Sequence, residues 1–281
     1  MRKYGQHCLV ISGFFLFSCL GMQKTPAFIS EVGVKTNGAS IEKSSLSNLP
    51  EGDWQRLDFQ DPVANGLRAD VLGDAAPEDL RFEVHRDGLV GAKTSLLIRD
   101  SQGTLSNTIH PAGYLTFFQT ANADEDPQNE IVMYSYPSPA GQSMEVVNGD
   151  GSVLYRWETR TEGRFDVIAW EGAPCILTPE RDSFAITALD GHPIDRLQAP
   201  FAHRFSRIVG RRLAGGMLVV LVSGSGYTNY HMVCVFDAYS KLVYQEVGAG
   251  HPSGLLFSEK KPDEFLVSYG KAFFRYVRPG R

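Results

Sequence analysis

Between Asn122 and Glu158 two apolar runs, IVMYSY and MEVV, are followed by an Asn-Gly-Asp-Gly turn and a further run, VLYRW. Short apolar runs bounded by turn residues are the pattern of β-strands. The pattern recurs in weaker form on both sides. A Pro or Gly stands just before an apolar strand at Pro77 (LRFEV), Pro127 (EIVMY), Pro174 (CILT), Gly216 (MLVVLV) and Pro262 (FLVSY), so that successive marks lie 50, 47, 42 and 46 residues apart. Downstream of each of these strands except the last comes another ending in a turn: SLLIRDSQG, MEVVNGDG, FAITALDG and VCVFDAYS. Each turn opens onto one further strand.

A repeat in the mid-forties with four short strands per unit predicts an all-β fold, a β-propeller in which each unit is one blade. The 231 residues from 51 onward leave room for about five blades, near 64–110, 111–160, 163–200, 203–249 and 251–281. The fifth unit ends after FFRYV with neither a turn nor an outer strand. The segment Trp54–Phe59 alternates as a strand should and has no unit of its own, so it is expected to supply the missing strand, close the ring and hide an open edge. A β-sandwich is the alternative, and it leaves the length of the repeat unexplained. The 28 Gly, 15 Pro and 11% aromatic residues suit short strands and tight turns more than long helices.

The N-terminus predicts the compartment. Arg2 and Lys3 precede an apolar core from Cys8 to Phe17, which is the layout of a secretory signal peptide and too short to span a bilayer comfortably. Leu16-Phe17-Ser18-Cys19 resembles a bacterial lipobox, with cleavage before Cys19 leaving a thiol to be lipidated. Phe17 is bulkier than the residue usual there, and soluble secretion with cleavage after Ala27 is the competing expectation. The predicted organisation is a signal peptide over 1–18, a flexible tether rich in Ser, Asn, Lys and Thr over 19–50, and the propeller domain over 51–281. Lipid on Cys19 would hold the protein at a membrane of the cell envelope, with an outer-membrane or surface location expected and a periplasmic or secreted one as the alternative.

The formal charge is −5, and −7 once a leader bearing Arg2 and Lys3 is removed. Nucleic acid is therefore excluded as an expected partner, because binding its phosphates needs a concentrated basic face. Cys175 and Cys234 sit in strand-like runs at different positions of neighbouring units, and two buried free thiols are expected.

An acidic loop leads into the best-preserved unit. Asn122, Asp124, Asp126 and Glu130 stand at relative positions 1, 3, 5 and 9, so that alternate side chains of a tight loop can turn oxygens toward one centre, as calcium prefers. The stretch resembles the FG-GAP and VCBS-type propeller repeat, in which an Asp-x-Asp-x-Asp-Gly loop leads into an apolar strand, a Gly-Ala-Pro-like turn and an Asn-Gly-Asp-Gly-like hairpin. Here those parts are Asn122–Asp126, EIVMYSYP, SPAG and MEVVNGDG. The resemblance implies a Ca2+ site between the first and second strands of the blade, in a propeller used more often for adhesion and binding than for catalysis. Asn122 in place of Asp and Pro127 in place of Gly depart from it. Gly73–Asp79 is only a faint echo elsewhere.

In a propeller the link from one blade to the next and the loop between the two middle strands lie on the same face. His110, His203 and His251 fall on such links, and Tyr227, Asn229, Tyr230 and His231 fall in the SGSGYTNYHM loop of the fourth blade. These residues are the candidate ligand-binding group at the channel mouth, where imidazoles and phenols can bind a metal, act as acid and base or stack on a sugar. His-Pro in a loop is equally ordinary turn chemistry. Ser225 lacks the strand and helix of a nucleophile elbow, and Asp166 is an inner-strand acid without counterparts in the other units. The expected function is thus a non-enzymatic envelope protein that binds a protein or glycan partner. The alternative is a carbohydrate-active enzyme, a glycosidase or lyase, working at the channel mouth with paired carboxylates.

Overall fold

The computed structural model describes residues 34–35, 41–59, 62–86, 92–124, 126–136, 142–159, 164–180, 182–199, 207–224 and 230–278. Three short strands, β1 (Val34–Lys35), β2 (Glu42–Leu46) and β3 (Gln55–Asp58), and the single helical turn α1 (Pro62–Asn65) precede the repeating units. The first unit comprises β4 (Leu67–Ala69), β5 (Glu78–Arg86), β6 (Ala92–Arg99) and β7 (Leu105–Ile109), and the second β8 (Tyr114–Ala121), β9 (Glu130–Tyr136), β10 (Gln142–Val147) and β11 (Val153–Thr159). The third holds β12 (Asp166–Trp170), β13 (Ala173–Pro179), β14 (Ser183–Ala188) and β15 (Pro193–Gln198), and the fourth β16 (Arg207–Arg212), β17 (Leu218–Ser223), β18 (Tyr230–Phe236) and β19 (Leu242–Ala249). The chain ends with β20 (Gly254–Phe257), β21 (Glu264–Tyr269) and β22 (Ala272–Val277).

Each unit is one antiparallel sheet with its own strands in sequence order, the fourth extended at its outer edge by β1 beside β19, so the molecule is a five-bladed β-propeller whose blades coincide with the repeat read from the sequence. The Pro or Gly marks fall at the turn into the second strand of every blade or one residue inside it. The fifth blade borrows its missing edges from the N-terminus, in the order β2-β22-β21-β20-β3. Gln55–Asp58 does join that blade, but beside Gly254–Phe257 at its inner edge and not at the expected outer edge. The outer place belongs to Glu42–Leu46, which lies within the stretch expected to be a tether and pairs with Phe273–Val277. An outermost strand meets little apolar surface, so EKSSL carries no strong alternation. Lys43 anchors it, its amine 4.4 Å from the Phe274 ring centroid and 2.7 Å from Glu246, and Ile41 just before it is buried in the core of the fourth and fifth blades.

Blades pack face to face through apolar clusters. Leu80, Leu96 and Ile98 meet Leu115, Phe118 and Met133 between the first and second blades. Val132, Tyr134 and Val146 meet Phe165, Ile176 and Leu189 between the second and third. Leu177, Phe184 and Ile186 meet Val220, Val222 and Phe236 between the third and fourth, where the free thiols of Cys175 and Cys234 are also buried. Burial pushes the Cys234 thiol far up, and burial followed by the Glu171 charge pushes that of Cys175 up to about 11, so both stay protonated. Val219, Leu221 and Val235 meet Leu255, Phe265 and Tyr276 between the fourth and fifth.

One turn recurs between the third and fourth strands of the first four blades. Its first residue exchanges backbone hydrogen bonds across the turn, a register shift follows, and a left-handed residue closes it: Gly103, Gly151, Gly191 and Ser240, with φ of 83°, 88°, 88° and 62°. That is why Gly or a small polar residue ends DSQG, NGDG, LDG and DAYS. Three of these turns dock on the preceding blade. Asn107 donates to the Gly149 carbonyl at 2.7 Å, Gly191 lies against the Trp157 indole, and the Ser240 hydroxyl donates to Asp195 at 2.5 Å.

Candidate functional site

The turn from first to second strand carries acidic clusters in two adjacent blades. Asp124, Asp126 and Glu130 each place one carboxylate oxygen within 4.8 Å of the others, and Asp70, Asp74 and Glu78 do the same. Glu78 and Glu130 open the second strands β5 and β9, are each 1% exposed, and reach back into their loops. Glu78 accepts the N–H of Val71 at 2.8 Å and of Leu72 at 3.2 Å, while Glu130 accepts that of Ala123. The loops also touch each other, since the Asn129 N–H donates to the Asp70 carbonyl at 2.8 Å.

The three carboxylates expected at the calcium loop therefore converge, and Asn122 lies in the same loop. Its side-chain nitrogen donates to the carbonyls of Asp126 and Gln128, at 2.5 and 3.1 Å, which makes it a strap across the loop. The echo at Gly73–Asp79 supplies Asp74 and Glu78 of a second cluster, which Asp70 completes from just outside it. The signal lay in Glu78, which holds the same first-of-strand position as Glu130. Burial, and then the charges of Asp124 and Asp126, hold the Glu130 carboxyl above its ordinary range. Crowded hard-oxygen donors of this kind fit Ca2+, which relieves the repulsion.

The histidines are dispersed in role. His110 is exposed and its Nδ1 pairs with the Ser95 hydroxyl at 3.1 Å. His251 is exposed on the link into the fifth blade. His231 is 3% exposed, its Nε2 pairs with the Tyr269 hydroxyl at 2.5 Å, and its ring packs edge-on to that phenol. Gly248 makes the slot for it, because a Cβ there would sit 2.4 Å from the imidazole. Beside it Glu246 takes the Lys43 amine and the hydroxyls of Tyr244 at 2.5 Å and Tyr276 at 3.4 Å. Burial, outweighing the opposing Glu246 charge, pulls the His231 imidazole down to about 4. His231 is thus a neutral group inside the fourth and fifth blades. His110, His231 and His251 form no metal-ligating group among the described residues. His203, Tyr227 and the lipidation residue Cys19 lie outside the described residues.

Two open spaces lie along and at one end of the inner strands. A cavity of about 270 Å³ runs along the inner strands and is lined by Gln119, Asp166, Gly210, Arg211 and Arg212, with Leu57 of β3 placing that strand innermost in its blade. Asp166 begins β12 and ties three blades together. Its carboxylate accepts the N–H of Gly210 at 2.7 Å, of Val167 at 3.0 Å, and the Gln119 amide at 3.2 Å. Burial nevertheless pushes its carboxyl up to about 6. A wider recess of about 540 Å³ shares Ala169, Arg211 and Arg212 with this cavity and is rimmed by the turns at Glu171–Gly172, Leu213–Ala214 and Ser258–Glu259. Those turns end the inner strands, whereas His110 and His251 precede them. The recess therefore lies at the opposite end of the inner strands from the expected histidine mouth. Arg211 lies over Phe257, 4.4 Å from its centroid, and Arg212 over Trp170 at 4.6 Å. Sequence reasoning missed this pair, whose only signal was two arginines closing an inner strand.

No family model matches the chain, and no curated protein matches it. Among solved structures it is similar to BBS1N, crystallised in complex with ARL6DN and soaked with mercury, at 14% identity and a TM-score of 0.44, covering 72% of this chain and 66% of that one. It is similar to the Dos1 propeller at 13% identity and a TM-score of 0.44, covering 75% of this chain and 53% of that one. A third similarity, to the Pan2 WD40 domain of Neurospora crassa, has 12% identity and a TM-score of 0.27, covering 83% of this chain and 98% of that one. The chain thus spans just under two thirds of BBS1N and about half of the Dos1 propeller.

Proposed function

We propose that this chain is an exported, lipid-anchored protein of the cell envelope whose propeller is a non-enzymatic binding or scaffold module for a protein or glycan partner. Export and anchoring rest on the basic start, the short apolar core and the lipobox-like Leu16-Phe17-Ser18-Cys19. The observation that carries the binding reading is the state of the channel carboxylate. Asp166 is the one acid lining the inner cavity among the described residues, and its oxygens are engaged by N–H donors from three blades. A glycosidase needs a second carboxyl roughly 5 to 10 Å away across the scissile bond. Glu171 and Glu259 stand exposed on turns of the outer recess, away from the inner cavity that Asp166 lines.

The acidic loops support the FG-GAP and VCBS-type resemblance. Asp124, Asp126 and Glu130 would hold one Ca2+, and Asp70, Asp74 and Glu78 a second. The ion would neutralise crowded carboxylates and fix the first turns of two adjoining blades.

Anchor and binding are tested separately. Mass spectrometry of the mature protein should show a diacylated N-terminal Cys19, and an unmodified N-terminus after Ala27 would overturn the anchor. The immobilised lipid-free domain should retain a partner from envelope extract that binds again when purified. Turnover of a glycan by the domain, abolished by replacing Asp166, Glu171 or Glu259, would overturn the non-enzymatic reading.

A further inference from the structure

Arg211 and Arg212 close the inner strand of the fourth blade and line both the inner cavity and the outer recess. As strand neighbours they leave the sheet on opposite sides, one onto Phe257 of the fifth blade and the other onto Trp170 of the third. The rings fix the guanidinium planes and satisfy none of their N–H groups. Both arginines pair through their backbone with β17, but neither guanidinium makes a hydrogen bond or ion pair among the described residues, and Nη1 of Arg212 is buried without an acceptor. A buried, unpaired guanidinium is costly, and its planar fork matches an oxyanion. The pair is held ready by aromatic contacts and lacks its acceptor.

We infer that the two guanidinium groups receive a single carboxylate presented by a peptide segment of a protein partner, an assignment that rests on the binding reading above. The charge pattern selects this ligand. The arginines lie in the depth of the recess, while Glu171 and Glu259 stand exposed at its rim. A polyanion would bring charge against both rim acids, whereas one acidic side chain flanked by Lys or Arg is complementary to centre and rim alike. The two volumes suit a side chain and its flanking residues.

The probe is a set of short blocked peptides with a central Glu or Asp between lysines, each with its Gln or Asn counterpart, alongside trigalacturonate and inorganic phosphate. They are titrated into the mature protein by calorimetry and by the fluorescence of Trp170, with Trp170→Phe as the control for the signal. The acidic peptides should bind saturably and their amide counterparts should not. Affinity should fall roughly tenfold to a hundredfold in Arg211→Gln and in Arg212→Gln, with Arg212→Lys intermediate. Thermal melting establishes that each variant folds, and if Arg212→Gln does not, Arg211→Gln and competition by acetate in the parent decide. Equal binding of acid and amide peptides, binding of trigalacturonate or phosphate alone, or binding of none of the probes to the folded parent would each overturn the inference. Partner capture that survives both substitutions would also overturn it, while leaving the binding function standing.

Discussion

The backbone N–H of Gly210 donates to Asp166 at 2.7 Å, across the gap between the fourth and third blades. The carboxylate is at once a clamp and a cost, because burial raises it from 3.8 to about 6 in spite of three donors. Between those values the folded state holds a proton that the unfolded state has lost. Asp166 therefore favours folding below about pH 4, and its contribution falls as pH rises to about 6, by about 3 kcal/mol in all. Asp166→Asn should remove this slope. It should also lower stability at every pH by roughly 1 to 3 kcal/mol, since its amide nitrogen must face one of the existing donors. Urea melts of parent and variant from pH 3.5 to 7.5 would show both effects, and parallel curves would refute the first.

His231 acts with the opposite sign over nearly the same window. Its folded value of about 4 lies below the ordinary 6.5, so the unfolded chain binds the proton first and stability is lost as pH falls from 6.5 toward 4. The two groups mask each other in the parent. In His231→Gln the acid-side loss should disappear, exposing a stability that rises as pH falls from 6 to 4. Denaturant midpoints of the single and double variants across that range test the cancellation, and a double variant as steep as either single one would contradict it.

The blade-docking turns make a graded prediction. A Cβ on Gly149 would lie 2.0 Å from the Val71 carbonyl oxygen, and one on Gly191 would lie 2.7 Å from the Trp157 ring, whereas Gly103 has nothing within 4 Å. All three substitutions to Ala should fold less stably. Gly103→Ala should cost only the left-handed backbone penalty, about 1 kcal/mol. Gly191→Ala adds a clash to that penalty and Gly149→Ala carries a clash alone; both must push neighbouring blades apart and should cost roughly 3 kcal/mol or more. Thermal melting ranks them directly, and equal shifts for all three would mean that the turns do not hold the blades together.

These turns show what the sequence made legible. The third-to-fourth-strand turn needs a left-handed residue at a fixed place, so it leaves a written mark in DSQG, NGDG and LDG, and with the Pro and Gly marks it set the blade count. Edge strands leave no such mark. Glu42–Leu46 pairs through its backbone and carries polar side chains at three of its five positions besides Lys43, so a polar tether was the natural reading of EKSSL. Sites fared worse because they depend on which end of a strand a residue occupies. His231 and Tyr230 are adjacent, yet one imidazole is sealed against Tyr269 by a glycine slot at Gly248, which no spacing rule reports. Arg211 and Arg212 acquire meaning only from Phe257 and Trp170, which come from different blades.

The paired acidic loops give the last prediction. Glu130 is raised by burial and by its neighbours Asp124 and Asp126, so a divalent cation should displace its proton and bind less well as pH falls into the range where Glu130 is protonated. Calorimetric titration of the mature protein with Ca2+ should give two binding events, one lost in Asp124→Ala and the other in Asp74→Ala. At a hundredfold excess over the dissociation constant each site should add about 2.7 kcal/mol to stability. Because the Asn129 N–H and side-chain amide both reach the Asp70 carbonyl, at 2.8 and 3.1 Å, the loop holding one ion buttresses the other. Asn129→Ala, which removes the side-chain bond alone, should weaken both events, while a substitution confined to one cluster should weaken its neighbour by less than it weakens itself. If millimolar Ca2+ yields neither heat nor a shift in melting temperature, the carboxylates are held by the hydrogen bonds of their own loops and the loops are structural caps of the second strands.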